Sequence, residues 1–435
     1  MGGLRMRILI LGGYGFIGAE ILRACAAAGF DCAGLGRNAE TGKRLVPEAR
    51  WIGADMSALD SAEKWAPHLE EVDAIVNAAG ALQDGARDDL EAIHHRSIAA
   101  LVDAAVKTNV RTFIQISAPG AAPTASTAFM RTKAAGDAAV KASSIDWIIL
   151  RPGLVIGRGA YGGTAMLRML AGFPLMTPLV AASSLVQTVS IDDVAAAVVK
   201  ALSGEIPMRR DFDLVEDTPH TLREIVRGLR RRLGFRPVRL EPDLPDWAAS
   251  VFAAMADLAG SFGWRSPLRS TAMKVIREGV LADPGPWRAA TGRSLMSLDE
   301  TLSQIPGTAQ ERLYARAQLA LPVMIVTLGL FWIASGLVGW AQMDRASALL
   351  PAFDPLAAGA MVAAGAVVDV LLGALILFRR TSRSGAAASV IVALFYLLMG
   401  SLLAPHLWAD PLGPLVKIFP ALALGIAVAL MLEER

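Results

Sequence analysis

The sequence predicts an α/β fold with a doubly wound parallel sheet and a small substrate-side region, followed by an all-α bundle of four transmembrane helices. Short β-rich runs alternate with Ala-rich helical stretches over the first third of the chain, a pattern typical of parallel sheets. Four long apolar windows follow near the C-terminus. Of 435 residues, 54% are hydrophobic and 19% charged. Soluble domains carry about 25% charged residues, so the composition argues against a wholly soluble protein.

The composition also narrows the possible functions. The two cysteines, Cys25 and Cys32, indicate structural thiols and exclude a disulfide scaffold. The net charge of +2, without a basic stripe interleaved with aromatic residues, gives no reason to expect nucleic acid as a partner. Among the histidines only His94 and His95 are neighbours, and adjacent helical side chains point apart, so we predict no metal site.

The α/β part contains six predicted strands. They are Arg7–Leu11, Phe30–Leu35, Arg50–Gly53, Asp73–Asn77, Thr112–Ser117 and Asp146–Arg151. We expect the sheet core over about residues 5–155 and the substrate-side region over about 156–305, which together form a domain of residues 1–305. Pro-rich sequence around Pro284–Gln310 is interpreted as linker, and residues 306–318 connect to a membrane domain at 319–435.

Each apolar window is close to the 20 or so residues that cross a bilayer as a helix. The windows are Leu319–Ala341, Ala357–Phe378, Gly385–Leu403 and Leu412–Leu432. A buried soluble helix is the alternative, and it is strongest for the fourth window, which contains Lys417 and Pro420.

Three arginines, Arg379, Arg380 and Arg383, separate the second window from the third. The positive-inside rule then predicts a multi-pass protein of the inner (cytoplasmic) membrane, with the N-terminal domain and both termini in the cytoplasm. Asp369 lies inside the second window, where an acid costs at least about 2.5–3.5 kcal/mol. We expect it to face the bundle interior, toward Lys417, Ser335 or Trp332, either as a packing residue or in a proton or quinone site.

A glycine-rich turn follows the first strand directly. Gly12, Gly15 and Gly18 have the spacing of a dinucleotide-binding turn, in which the glycines permit a tight bend, a close approach to pyrophosphate and helix packing. Between them lie Tyr14, Phe16 and Ile17. The N-terminus of the next helix attracts the anion, so the pattern predicts a Rossmann sheet that binds a dinucleotide.

The end of the second strand indicates which dinucleotide is bound. An Asp or Glu at this place binds the ribose hydroxyl of NAD, whereas Arg accommodates the phosphate of NADP. Here Arg37 follows Gly36, and Asp31 lies at the opposite end of the strand. The sequence therefore favours NADP(H), with NAD(H) as the alternative.

Taken together, these motifs resemble the extended and atypical short-chain dehydrogenase/reductases over roughly residues 5–305. The matching segments are the glycine turn, Asp55-Met56, Asn77-Ala78-Ala79-Gly80, Ser117, Lys133, Arg151-Pro152-Gly153 and Val189–Ala195. The resemblance implies that Asp55 and Met56 contact adenine, and that Ala78, Ala79, Gly80, Pro152 and Gly153 border the cofactor. It further implies that Lys133 binds the nicotinamide ribose and that Ser117 polarises the substrate oxygen.

One position departs from this family. Its catalytic Tyr lies four residues before the Lys, and that position is Phe129 here, whose ring cannot transfer a proton. Tyr161 is the candidate for a displaced acid, the alternative being a tyrosine that lines the pocket. Such losses are familiar in branches resembling the nucleotide-binding accessory subunit of respiratory complex I, where the cofactor is structural.

The C-terminal part resembles the DoxX-like four-helix membrane family, notably at Leu330–Leu337. Together the two resemblances imply a membrane-anchored oxidoreductase acting on an apolar, lipid-linked or quinone-type substrate. The alternative is a non-catalytic NADPH-binding assembly or redox-sensing protein. A nucleotide-sugar epimerase fits less well, because that activity normally needs the missing Tyr and favours NAD.

Overall fold

The computed structural model describes residues 5–82, 84–85, 89–264 and 270–432. The chain divides into two units. The N-terminal unit comprises residues 1–257 and 266–315, and the membrane unit comprises residues 258–265 and 316–435.

The bounds of the elements are as follows. The strands of the described residues are β1 (Arg7–Leu11), β2 (Asp31–Gly36), β3 (Arg50–Gly53), β4 (Ala74–Asn77), β5 (Thr112–Ile116), β6 (Asp146–Pro152), β7 (Leu154–Ile156), β8 (Leu185–Val186), β9 (Thr188–Ser190), β10 (Arg210–Leu214) and β11 (His220–Thr221). The helices are α1 (Phe16–Ala27), α2 (Ala39–Leu45), α3 (Ala62–Trp65), α4 (Ser97–Lys107), α5 (Ala128–Ala142), α6 (Gly163–Ala171), α7 (Ile191–Leu202), α8 (Leu222–Arg232), α9 (Asp246–Ser261), α10 (Ser270–Glu278), α11 (Gly285–Thr291), α12 (Leu298–Ser303), α13 (Ala309–Ala341), α14 (Met343–Ser347), α15 (Pro355–Leu377), α16 (Ser382–Leu403) and α17 (Ile418–Met431).

Within the described residues, seven strands form one parallel sheet in the order β10-β6-β5-β4-β1-β2-β3. The predicted doubly wound α/β fold is confirmed. The strand order reverses at β1, which pairs with β2 on one side and β4 on the other. Ligands of such sheets bind at the carboxyl ends of the strands beside this switch point, which is where the glycine turn lies.

Alternate residues of β1 serve the two faces of the sheet. Ile8 and Ile10 belong to a buried cluster that includes residues of α1 and α7. Leu9 and Leu11 belong to a second cluster that includes residues of α4. Helices therefore cover both faces, which explains why the central strands are almost continuously apolar.

The region predicted to lie on the substrate side also contributes to the sheet. Its strand β10 is the seventh strand and pairs with β6. Three of its five residues, Arg210, Asp211 and Asp213, are charged, and the other two, Phe212 and Leu214, are buried. Such a composition suits an edge strand, and for that reason β10 lacks the apolar signature of the six predicted strands.

The interpretation of Pro284–Gln310 as a linker is wrong. Helix α11 packs on β10, with the Trp287 and Phe212 rings 5.7 Å apart in a T-shaped contact. Leu298, Leu302 and Ile305 are buried in a core that also contains residues of α8. The Pro and Gly residues of this segment lie at the ends of short helices. The apolar residues of these helices pack in the core of the N-terminal unit.

In the described part of the membrane unit, α13, α15 and α16 are long and apolar enough to cross a membrane. The fourth predicted span is shorter than expected, because α17 has only 14 residues and Lys417 lies outside it at the N-cap. At 1.5 Å per residue such a helix reaches about 21 Å, less than the roughly 30 Å of a hydrocarbon core. Residues of α13, α15, α16 and α17 nevertheless share one buried cluster.

Candidate functional site

The glycine turn is built from main-chain contacts that exclude side chains. The N–H groups of Gly12 and Gly13 donate to Leu35 O at 2.9 and 3.3 Å, which ties the turn to β2. Gly12 has φ +68°, and a Cβ there would lie 2.8 Å from Ala79 Cα. A Cβ on Gly18 would lie 2.2 Å from Gly12 O. Glycine is therefore required at both positions for β1 to turn directly into α1.

The N-terminus of α1 is open to an anion. Its N-cap is Gly15, in extended conformation, and no side chain makes a capping hydrogen bond. The first N–H groups of a helix lack intrahelical partners and carry the positive end of the helix dipole. The N–H groups of Phe16, Ile17 and Gly18 thus fit the pyrophosphate of a dinucleotide, whereas the N–H of Gly15 donates to Gly12 O at 2.8 Å.

At the ribose end of the site, β2 terminates on Gly36 and has no carboxylate there. The Tyr14 ring covers Gly36 so closely that a Cβ on Gly36 would lie 2.3 Å from the nearest Tyr14 ring carbon. The Tyr14 and Trp51 rings are 6.0 Å apart. Arg37 follows as an exposed residue, so a cation replaces the acid at the end of this strand.

The segment after β3 forms a short turn at the predicted adenine side. Asp55 is an N-cap whose carboxylate accepts hydrogen bonds from the N–H and hydroxyl of Ser57 at 3.1 and 2.8 Å. Met56 is buried. One carboxylate oxygen of Asp55 is thereby committed to its own turn.

Lys133 connects the ends of β4 and β5. Its ammonium group is buried and donates to Ile116 O at 2.9 Å and Ala79 O at 3.4 Å. The Ala78-Ala79-Gly80 segment is held by Asn77, whose side chain accepts from Ala79 N at 3.1 Å. Burial lowers the pKa of Lys133 to about 8, against the opposing effect of Asp137. The structure thus brings Lys133 and the Ala79–Gly80 edge together.

Ser117 has a partner that its role in the family does not suggest. Its hydroxyl donates to Asp137 Oδ2 at 2.6 Å, and both residues are buried. Asp137 lies one helical turn after Lys133 on α5, and Arg151 approaches its carboxylate at 3.9 Å. Burial raises the pKa of Asp137, although Ser117, Lys133 and Arg151 each act to lower it. The sequence analysis missed Asp137, and its position four residues after Lys133 is the only signal that could have revealed it.

Phe129 lies one helical turn before Lys133 on α5 and contacts His94. The two rings meet edge to face, 5.6 Å apart. His94 is buried and accepts from Ala81 N through Nε2 at 3.1 Å. Its Nδ1 lies 3.0 Å from the Thr132 hydroxyl, which donates onward to Phe129 O. Burial lowers the pKa of His94 to about 2, so the ring is neutral and its acceptor nitrogen is occupied. His94 therefore positions the Gly80–Ala81 segment and does not replace the missing tyrosine.

The remaining predicted residues border the end of β6. Gly153 N donates to Leu214 O at 3.0 Å, and a Cβ on Gly153 would lie 2.5 Å from Gln187 O, which explains the glycine after Pro152. Tyr161 lies in the loop before α6, its backbone N–H donates to the Thr164 hydroxyl, and it is 43% exposed. Tyr161 thus lies in the loop between β7 and α6.

The membrane unit contains a separate polar cluster. Asp369 is buried in α15 and accepts hydrogen bonds from Ser335 at 2.8 Å and Tyr396 at 2.9 Å. The expected contact with Ser335 is present, and Tyr396 is an additional partner. The Trp332 indole N–H is buried and has no hydrogen-bond partner among the described residues, while its ring lies 6.2 Å from that of Tyr396.

Two protein families match separate parts of the chain. Residues 12–205 match the NAD(P)H-binding family, and residues 329–426 match the DoxX-like family. The chain joins an NAD(P)-binding Rossmann domain to a DoxX-like domain. The first match includes the glycine turn and strands β2 to β9, and the membrane-capable helices lie within or beside the second match.

Individual proteins are similar to a larger share of the chain than either family match. The chain is 24% identical to ceramide reductase of Caulobacter vibrioides over 251 residues, which are 58% of this chain and 77% of that protein. Its fold is similar to the Bordetella bronchiseptica enzyme WbmH in complex with NAD+, with TM-score 0.53 and 16% identity over 72% of this chain and 99% of that one. It is also similar to Thermus thermophilus UDP-glucose 4-epimerase in complex with NAD, with TM-score 0.53 and 20% identity over the same shares. At these identities the solved structures show the fold of the Rossmann domain alone.

Proposed function

We propose that this chain is a membrane-anchored, NADP(H)-dependent oxidoreductase that acts on an apolar, lipid-linked or quinone-type substrate. The observation that carries the proposal is the glycine turn, which leads into a helix N-terminus without a side-chain cap, together with the buried Lys133. Both lie at the carboxyl ends of the strands. The same chain carries helices that are able to cross a membrane. This combination suits a substrate that is dissolved in the bilayer, because a membrane-anchored enzyme and such a substrate are in the same membrane.

The preference for NADP(H) follows from the end of β2. Gly36 offers no carboxylate to the ribose, and Arg37 offers a guanidinium, which binds phosphate through charge-assisted, bidentate hydrogen bonds. We place Lys133 at the nicotinamide ribose, because its ammonium lies against the Ala79–Gly80 edge. When bound, the nicotinamide supplies or accepts a hydride.

The proton needs another source, because Phe129 cannot provide it. We assign the Ser117–Asp137 pair to this task. In the structure the Ser117 hydroxyl donates to the Asp137 carboxylate. When Asp137 is protonated this hydrogen bond reverses: Asp137 donates to Ser117, and the seryl proton is free for the substrate oxygen. Hydride and proton together then convert a carbonyl into an alcohol. The 2.6 Å contact and the raised pKa of Asp137 both support this route.

The rate of carbonyl reduction, measured as a function of pH in the unmodified protein and in Asp137→Asn, tests this route. Asp137→Asn keeps the shape of the side chain but cannot hold the proton, so the rate of carbonyl reduction should fall by about 10²–10⁴ while NADPH affinity changes little. Asp103→Asn, at an exposed position on α4, is the matched control. An unchanged rate and pH profile for Asp137→Asn would exclude the pair as the proton source.

The substrate class is tested with the full chain purified in detergent. NADPH oxidation is followed with a membrane-soluble quinone and with long-chain ketones. Conversion of UDP-glucose, the representative of nucleotide sugars, into its C4 epimer is followed separately in the presence of NAD, because epimerisation consumes no NADPH. The name of the Caulobacter relative is the reason to include ceramide-like lipids that carry a ketone. Turnover of an apolar carbonyl or a quinone supports the proposal, and turnover of UDP-glucose alone contradicts it.

A second function, non-catalytic NADPH binding in assembly or redox sensing, is favoured by one observation. Phe129 occupies the position of the catalytic tyrosine and packs on a neutral His94. Tight NADPH binding without oxidation by any member of the substrate panel would support this second function. Both proposals therefore expect NADPH to bind, and only the first expects a substrate to be reduced.

We also propose the topology given by the positive-inside rule, with the α15–α16 loop and the Rossmann domain in the cytoplasm. Ser384 is exposed just inside α16, and Ala348 is exposed in the α13–α15 connection. In oriented vesicles, Ser384→Cys should react with an impermeant maleimide from the cytoplasmic side and Ala348→Cys from the opposite side. Reaction of both from one side would refute this topology.

A further inference from the structure

Helix α9 exposes its large apolar residues. Trp247, Val251, Met255 and Leu258 are 72%, 51%, 62% and 62% exposed, and their spacing of three or four residues places them along one face of the helix. These four residues are called the apolar stripe. Phe252, 48% exposed, flanks the stripe.

The opposite face of α9 is made of small residues. Ala249 and Ala256 are buried, and they lie on the side of the helix turned away from the apolar stripe. A helix packed on a water-soluble domain has the reverse arrangement, with large apolar residues inward and small or polar residues outward. The arrangement in α9 suits an outer surface that is itself in contact with an apolar medium.

The chain that continues from α9 is attached to the end of a membrane-capable helix. Trp264 Nε1 donates to Leu377 O at 2.7 Å, at the last residue of α15. Arg379 N donates to Phe262 O at 3.0 Å, and the Arg379 guanidinium lies 5.5 Å from the centre of the Trp264 ring. Tryptophan and arginine at a helix end are typical of the boundary between lipid and water. The C-terminal end of α9 is thereby held at this boundary.

We propose that α9 lies in the headgroup region of the bilayer, with the apolar stripe turned toward the acyl chains. The helix carries the acids Asp246 and Asp257 and no Lys or Arg. Its association with lipid is therefore driven by apolar burial and does not need anionic headgroups, unlike that of basic amphipathic helices. A protein partner is disfavoured, because the stripe ends at Leu258, about one helical turn before Phe262, whose carbonyl accepts from Arg379 N at the end of α15.

Site-directed spin labelling of the full chain tests this placement. Nitroxides are attached to Val251→Cys and Met255→Cys, and to Ser250→Cys as the matched control at an exposed polar position on the same helix. The native Cys25 and Cys32 are buried, and labelling of the unmodified protein measures their background. Collision rates with oxygen and with a water-soluble nickel chelate are recorded in phosphatidylcholine vesicles, with and without phosphatidylglycerol.

We expect labels on the stripe to collide several-fold more with oxygen, relative to the nickel chelate, than the label at position 250, whether or not phosphatidylglycerol is present. Equal nickel accessibility at all three positions would place the stripe in water and overturn the proposal. Exclusion of both oxygen and nickel from the stripe would show that protein covers it, which also overturns the proposal. None of these outcomes depends on enzymatic turnover, so the result is separate from the proposed function.

Discussion

Replacement of Lys133 by Met should stabilise the protein at neutral pH while it weakens cofactor binding. Lys133 is buried, and burial lowers its pKa from 10.5 to about 8. The folded state therefore resists protonation of this amine. This resistance lowers the free energy of unfolding. The reduction is absent above about pH 10.5, the pKa of the amine in the unfolded chain. It grows as the pH falls to about 8, the pKa in the folded state, and is constant below that.

The magnitude follows from the pKa shift and the two hydrogen bonds. At about 1.4 kcal/mol per pKa unit, the shift corresponds to roughly 3 kcal/mol at pH 7. Methionine removes this cost but leaves the carbonyls of Ile116 and Ala79 without their donor, at about 1–3 kcal/mol. The net gain at pH 7 is thus about 1 kcal/mol, and it turns into a net loss near pH 10, because only the first contribution depends on pH.

Thermal unfolding of the full chain in detergent, measured at several pH values, checks this expectation. The Tm of Lys133→Met relative to the unmodified protein should fall by several degrees between pH 7 and pH 10, while NADPH affinity at pH 7 drops at least tenfold. Lys141→Met is the control, since Lys141 lies on the same helix and pairs with Asp211 at the surface. A Lys133→Met protein that is less stable at every pH and binds NADPH normally would refute the reasoning and make Lys133 a structural tie.

Three further predictions concern the cofactor and the proton. The protein should bind NADPH more tightly than NADH, and Arg37→Ala should narrow the gap by about tenfold to a hundredfold, because charged hydrogen bonds contribute roughly 1.5–3 kcal/mol. Calorimetry with Arg44→Ala as the control checks this, and equal affinities in the unmodified protein would contradict it. Gly15→Val should abolish NADPH binding and leave membrane insertion intact, because a side chain at the helix start occupies the space of the pyrophosphate. Thermal stabilisation of that variant by NADPH would show that the turn has been misassigned. Phe129→Tyr restores a hydroxyl one helical turn before Lys133 and should raise carbonyl reduction by about 10²–10⁴ if the pocket is otherwise competent. An unchanged rate with every carbonyl would favour the non-catalytic alternative.

The central sheet was predictable because its strands are buried on both faces and so appear as apolar runs. The six predicted strands agree with the observed ones to within one residue at each end. Edge strand β10 was not predictable in this way, because Arg210, Asp211 and Asp213 leave it only two apolar residues. The helices at Gly285–Thr291 and Leu298–Ser303 were also missed, since they are short and their stability comes from tertiary packing rather than from their own periodicity.

In the candidate site, the residues that act through the main chain were easier to predict than the contacts between side chains. The glycine turn is encoded locally, so its geometry follows from spacing alone. The Ser117–Asp137 hydrogen bond joins residues 20 positions apart, and the His94–Thr132 contact joins residues 38 apart. Such pairs depend on how α5 packs beside β5, which no local pattern specifies.

The ring of Tyr14 over Gly36 constrains how this lineage could change its cofactor. A carboxylate at position 36 is the simplest way to recognise the ribose of NAD, yet a Cβ there would lie 2.3 Å from a carbon of that ring. Tyr14 must therefore be lost or reoriented before an acid at position 36 becomes tolerable. Its loss alone removes the contact with Trp51 and places no carboxylate at the ribose. Position 36 and Tyr14 are therefore coupled: an acid at position 36 fits only where Tyr14 has been replaced or has moved, so the two positions should change together in relatives of this chain.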